Sequence, residues 1–204
     1  MVNFLLSTYD FNNETCYSML KHYLEPGMSV CIVPYSHDVD FYESEELFDS
    51  YYHYDTGEDF NSIARAYHDY GIDKGRIRVI NPNRDTYAMI KHKILSSDVL
   101  FFTGGNPVHA MMRMQPILSI INQFDGIVMG ASAGAMVQVY EFVMDGEGVP
   151  YSYHKGLGMI MDNVDVLVHF HIDSHMIKII RRSLKERPNV HLLPLVDGDI
   201  LCFP

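Results

Sequence analysis

Short runs of apolar, often β-branched residues punctuate this chain at 3–7, 29–34, 76–80, 99–103, 126–130, 164–168 and 191–195. Runs of that length with no polar alternation predict strands buried on both faces, the pattern of a parallel sheet. A last apolar stretch at 200–203 follows the turn-forming sequence Asp197-Gly198-Asp199. Between the runs, apolar residues fall at spacings of three and four, which predicts helices over 13–23, 60–70, 87–95, 108–122, 133–140 and 174–185. Gly71 is a stop for the second of these, Pro116 interrupts the fourth, and Pro188 follows the last. Strands alternating with helices predict an α/β fold. The expected architecture is a three-layer sandwich, with a mostly parallel central sheet and helices on both faces, in a single domain over 1–204. Residues 38–59 are the exception: acidic, rich in Tyr and without clean periodicity. They read as a surface excursion that could overhang a site.

Composition narrows the class. Apolar residues make up 48% of the chain, enough for a buried core. Lys and Arg number 15 against 26 Asp and Glu, a net charge of -11. That balance argues against a nucleic-acid partner, because phosphate binding needs clustered cations. The one dense basic group, Lys178, Arg181, Arg182, Lys185 and Arg187, has helical spacing and reads as a solvated face. Cys16, Cys31 and Cys202 contain no Cys-x-x-Cys pair. Neither a zinc knot nor a disulfide framework is expected, and a reducing, cytoplasmic location fits. Residues 1–6 read as a first strand, not a signal peptide. No apolar run approaches the ~20 residues of a membrane span.

The most informative stretch runs from Gly126 to Met136. An apolar strand leads straight into Gly130-Ala131-Ser132-Ala133-Gly134 and then into a helical pattern. This fits the Gly-x-Ser-x-Gly nucleophile elbow, in which small residues on both sides let a sharp, strained turn project the serine hydroxyl beyond the sheet; read by itself it is also a Gly/Ala-rich strand-to-helix turn with a serine N-cap. The following helix N-terminus offers free N–H groups to a developing oxyanion. A second strand feeds Thr103-Gly104-Gly105-Asn106-Pro107. Two glycines let backbone N–H groups approach a ligand closely, and ligands of open α/β sheets lie at the C-terminal strand ends. Gly104, Gly105 and Ala133 are therefore the candidate oxyanion hole, with Asn106 as a support of that loop.

At these loops the sequence resembles the serine peptidases of the dipeptidase E and cyanophycinase family, whose fold is similar to that of class I glutamine amidotransferases and flavodoxin. Phe102-Thr103-Gly104-Gly105-Asn106 resembles the family's Gly-Gly-Asn loop, and Gly130-Ala131-Ser132-Ala133-Gly134-Ala135 resembles its Ser-Ala-Gly-Ala elbow. Val166-Leu167-Val168-His169-Phe170 resembles the strand end that carries the catalytic histidine, with Val168 where the family has proline, and Gly156-Leu157-Gly158 resembles the lead into it. The resemblance implies a serine hydrolase acting on small peptides, among them dipeptides with an N-terminal Asp, with no metal or organic cofactor. A pocket for an acidic residue calls for a cation, and Arg84, Arg113 and Lys155 are candidates.

A serine hydroxyl needs a base within hydrogen-bond reach. His169 ends an apolar strand and so belongs at the sheet edge of Ser132; His171 shares its strand face and is the alternative. The base in turn needs an orienting carboxylate, and the loop after the elbow helix offers Glu141, Asp145 and Glu147. The family's spacing lands on Glu147, with Asp145 as its competitor. Three rival readings stand beside this one. A metal hydrolase would use His169, His171 and Asp173 as ligands, which leaves the elbow unexplained. A glutamine amidotransferase would carry Cys where Ser132 stands. A degenerate relative would keep the elbow as a binding protein. The expected partner is a small peptide, with no nucleic acid and no membrane; the oligomeric state is not encoded in any feature above.

Overall fold

The computed structural model of the chain describes residues 1–37, 42, 44–146, 149–160 and 163–204. Its strands are β1 (Val2–Leu6), β2 (Val30–Val33), β3 (Ile77–Val79), β4 (Val99–Phe102), β5 (Ile127–Ala131), β6 (Glu141–Gly146), β7 (Val149–Lys155), β8 (Val164–Val168), β9 (His191–Leu195) and β10 (Ile200–Phe203). The helices are α1 (Glu14–Leu20), α2 (Glu45–Tyr52), α3 (Glu58–His68), α4 (Tyr87–Leu95), α5 (Pro107–Met114), α6 (Leu118–Ile121), α7 (Ala133–Met136) and α8 (Ser174–Glu186). Six strands form the central sheet in the order β10-β1-β5-β4-β2-β3. All neighbours in it are parallel except β10, which runs antiparallel to β1. This is the expected α/β fold with a mostly parallel sheet.

Alternate strand residues enter different cores, which is why the strands lack a polar face. Phe4, Ile32, Phe101 and Met129 pack with Leu20, Phe60, Ile63 and Tyr67 on one side. Cys31, Leu100, Phe102 and Val128 pack with Ile90, Ile94, Met114 and Ile120 on the other. Short polar side chains start the helices by accepting N–H groups of the first turn: Asn13 for α1, Ser44 for α2, Thr86 for α4, Asn106 for α5 and Asp173 for α8. Gly71 takes a φ of 79° after α3, a region that costs glycine little. Pro116 sits in a 3-10 turn, Gln115–Ile117, that separates α5 from α6, as its missing N–H requires.

Three local expectations are corrected. Among the described residues, strands β8 and β9 do not join the central sheet; they pair in parallel with each other. β8 is buried between α8, through Leu167, Met176 and Ile179, and a cluster of Met136, Phe142, Val166 and Leu195, whereas β9 is fully buried only at Leu195. An apolar run reports enclosure by two layers, not which sheet supplies the hydrogen bonds. The segment after the elbow is not a loop: β6 and β7 form an antiparallel hairpin, with Glu141 opposite Lys155 and 3.2 Å from its ammonium. Within 38–59, residues 45–52 are not a surface excursion but a helix that buries Phe48 and Tyr52. Asp38 and Glu43 lie outside the described residues.

Phe101 is fully buried, against Tyr9, Phe11 and Tyr67. Phe101→Ala is expected to cost about 3–5 kcal/mol of folding free energy, read from the shift of a urea unfolding transition.

Candidate active site

The strand order brings three chain ends together. β5 lies between β1 and β4, so the residues that follow those strands, Ser7, Ser132 and Gly104, emerge side by side at one sheet edge. Ser132 sits at φ 52° and ψ −113°, a strained conformation for a residue with a Cβ. Its surroundings hold it there. The Ser132 N–H donates to Leu6 O at 2.9 Å, and its carbonyl accepts from Ala135 and Met136 at 2.9 and 3.1 Å. A Cβ at position 130 would stand 2.2 Å from the Gly134 carbonyl, and one at 134 would stand 2.1 Å from the Phe102 carbonyl. Both glycines of the elbow are thus set by contact, as the motif anticipates.

His169 follows β8, with φ 51°, and its Nε2 lies 2.9 Å from Ser132 Oγ. Its Nδ1 lies 2.7 Å from Asp197 Oδ1. A carboxylate only accepts, so Nδ1 carries the proton and Nε2 is free to accept from the serine. Asp197 lies in the turn between β9 and β10. Ser7 ties the group together: its hydroxyl donates to Asp197 Oδ1 at 2.7 Å and accepts the His169 N–H at 2.9 Å. The Ser7 hydroxyl, and after it the His169 ring, hold the Asp197 carboxyl below the usual carboxylate range.

The orienting carboxylate is the point where the structure departs from the sequence reading. Glu147 lies outside the described residues. Asp145 is on β6 and lines a cleft beside Ser132, but no hydrogen bond joins it to His169. Asp197 holds that position instead. His171 turns elsewhere: its Nδ1 donates to the His169 carbonyl at 2.9 Å and its Nε2 pairs with Asp173 at 2.8 Å. The His169 carbonyl and Asp173 push the His171 imidazole up, while the Met176 N–H, as the first of several contacts, holds Asp173 down. Among the described residues, no three His, Cys, Asp or Glu side chains are grouped to hold a metal, so His169, His171 and Asp173 do not converge as ligands.

The glycine loop is pinned from two sides. Ser36, beyond β2, donates its hydroxyl to the Gly104 carbonyl and contacts Thr103 Oγ1 at 2.8 Å. The Ser36 carbonyl accepts the Asn106 N–H at 2.6 Å. Gly105 adopts φ 135°, and a Cβ there would stand 2.5 Å from Ser36 O. Asn106 caps α5 through the N–H groups of Val108 and His109. The Gly104 N–H donates to the Tyr9 hydroxyl at 2.8 Å. Sequence reasoning missed Ser7, Tyr9, Ser36 and Asp197. Only Asp197 left a signal: it follows an apolar strand, at the strand end where ligands gather, although the Asp-Gly-Asp sequence reads first as a turn.

Two clefts, each about 320 Å³, flank the Ser132–His169 pair. One is walled largely by apolar side chains, among them Met136, Val166, Val168, Met176 and Ile179, with Asp145, His171 and His175 at its polar margin. The other is lined by Ser7, Thr8, Tyr9, Asp59, Gly104 and Ala131. Neither lining contains Lys or Arg among the described residues. Arg84 pairs with Glu45 and Asp49, Arg113 donates to the Tyr35 and His37 carbonyls, and Lys155 pairs with Glu141.

Comparison with known proteins bears on the fold and the family. Two solved structures share the fold, each with a TM-score of 0.66. One is a protein provisionally assigned as peptidase E from Listeria monocytogenes EGD-e, 16% identical, the match covering 99% of this chain and 93% of that one. The other is a peptidase from an acI-B1 Actinobacterium, 18% identical, covering 99% of this chain and 82% of that one. No curated protein matches. The sequence profile of peptidase family S51 matches residues 52–204, which take in the glycine loop, the elbow, His169 and Asp197, and the chain therefore belongs to peptidase family S51.

Proposed function

We propose that this protein is a serine peptidase that hydrolyses small peptides through an acyl-enzyme on Ser132. The observation that carries the reading is the chain of two contacts, Ser132 Oγ to His169 Nε2 at 2.9 Å and His169 Nδ1 to Asp197 at 2.7 Å. A hydroxyl so placed passes its proton to the imidazole as it attacks a carbonyl carbon. The Asp197 carboxylate keeps the ring in the productive tautomer and stabilises the imidazolium that forms. The carbonyl oxygen gains negative charge, for which the N–H groups of Ala133, at the start of α7, and Gly105 are the proposed donors. The Gly104 N–H is already engaged by Tyr9 and joins only if that phenol withdraws. The imidazolium then protonates the departing amine, and the C–N bond breaks. Water, activated by the same imidazole, releases the acid and restores Ser132.

The serine at the elbow supports this reading over a glutamine amidotransferase, and the engaged nitrogens of His171 support it over a metal site. The aspartyl preference implied by the family resemblance finds no Lys or Arg in either cleft among the described residues, and Arg84, Arg113 and Lys155 are committed elsewhere. Three unpaired thiols support a reducing, cytoplasmic setting. Among the described residues no helix is long and apolar enough to cross a membrane.

Ser132→Ala is expected to abolish both dipeptide hydrolysis and labelling by a fluorophosphonate probe while the protein still melts cooperatively; labelling that survives the substitution removes Ser132 from the mechanism. Asp197→Asn should lower kcat by about 10³- to 10⁴-fold, whereas Asp145→Asn should not approach that loss; steady-state kinetics on one dipeptide ranks the two. The pH behaviour has a defined sign. Because the folded carboxyl of Asp197 titrates below its unfolded value of about 3.9, the stabilisation it contributes is complete above that value and is lost as pH falls through the lowered one. Ser7→Ala should therefore raise the Asp197 titration point, as followed by carbon-detected NMR.

A further inference from the structure

Asp59 lies in the first turn of α3, yet its carboxylate lines the cleft that also contains Ser132, His169 and Gly104. Only 18% of the side chain is exposed. Its Oδ2 accepts the Tyr52 hydroxyl at 3.1 Å and stands 3.4 Å from His37 Nε2. Among the described residues no Lys or Arg lies within 4 Å of it. Phenol donors of Tyr52 and Tyr9 and the neighbouring His37 ring hold this carboxylate, but no permanent side-chain cation among the described residues neutralises it, and a carboxylate withdrawn this far from water is retained at a cost. A solvated position was open to it, since the acid of a first helical turn interacts with the helix dipole from the surface as well. Across the nucleophile, the second cleft again contains a carboxylate, Asp145, and again no Lys or Arg. A substrate carboxylate held beside Ser132 would meet repulsion from these groups; a positive charge would find a partner.

We propose that Asp59 is a specificity-determining residue and that its cleft receives a positively charged nitrogen of the substrate next to the scissile bond. Two sources share that chemistry: the α-ammonium of a peptide N-terminus and the side chain of Lys or Arg. The cleft volume of about 320 Å³ suits a single residue of either kind. The inference rests on the hydrolase reading for its biological sense, but binding tests it separately from turnover.

Four related ligands place the positive charge on both nitrogens, on the α-nitrogen, on the side chain or on neither: lysinamide, norleucinamide, N-acetyl-lysinamide and N-acetyl-norleucinamide. Calorimetric titration into Ser132→Ala protein, which cannot turn them over, is expected to show at least about tenfold tighter binding of lysinamide and of one of the two singly charged ligands than of the neutral one, with the advantage lost in Ser132→Ala/Asp59→Asn and retained in Ser132→Ala/Asp59→Glu. Preference for norleucinamide identifies the α-ammonium as the source, and preference for N-acetyl-lysinamide identifies the side chain. Equal binding of all four, no binding of any, or a charge preference that survives Asp59→Asn overturns the proposal. If the Asp59 variants fail to melt cooperatively, the ranking of the four ligands in Ser132→Ala protein alone decides it. Fluorophosphonate labelling of the wild type decides the hydrolase reading independently, so either can fall while the other stands.

Discussion

A serine forced to a positive φ will not stay there unless everything around it forbids relaxation, and at Ser132 everything does. Strain of this kind costs on the order of 1–3 kcal/mol, and it is offset by packing between two glycines whose missing side chains make room for neighbouring carbonyls. Because β5 lies between β1 and β4, the elbow donates a hydrogen bond to the Leu6 carbonyl on one side and is confined sterically by Phe102 on the other. The same strand order delivers Ser7 and the glycine loop to the elbow's flanks. The position of the candidate catalytic groups is thus a property of the sheet, and the loops inherit it.

How much of this could be read in advance depended on whether a residue's role was local. The elbow was legible because its constraint, small residues around one serine, is written within a pentapeptide. His169 was legible as the end of an apolar strand. The central strands were legible because burial on both faces leaves an unbroken apolar run. Asp197 was not, because an Asp beside Gly serves equally as a turn former, and only the pairing of β8 with β9 puts that turn next to His169. Ser7 was hidden for the same reason: a single hydroxyl at a strand end acquires its role from partners 162 and 190 residues away. The hairpin of β6 and β7 was lost because strongly polar positions interrupt its pattern, and α2 because its apolar residues are mostly Tyr, mixed with acids.

The electrostatics of the site pull in two directions. Asp197 favours positive charge on the imidazole, and Asp59 and Asp145 add negative potential from both clefts. That field works against a developing oxyanion. Among the described residues no Lys or Arg lines either cleft, so beyond the imidazolium itself stabilisation of that charge would come from N–H groups in direct contact, where short distance and low local dielectric outweigh more distant carboxylates. The pinning of the glycine loop by Ser36 has its physical meaning here, since donors that must act alone have to be fixed in place.

The separation of β8 and β9 from the main sheet has a mechanical side. His169 and Asp197 ride at the ends of two strands bonded to each other, and so behave as one body. Ser132 belongs to another. A small tilt of the ribbon against the larger sheet would leave the imidazole–carboxylate distance intact while lengthening the gap to the alcohol. Besides packing and the turn that leads from Asp197 into β10, whose Gly198 carbonyl accepts from Asn13, one buried hydroxyl resists that tilt at the site: Ser7 grips the ribbon from the main sheet by both its donor and its acceptor. Alignment across the seam is therefore governed by a latch, and the seam is where the machine has play.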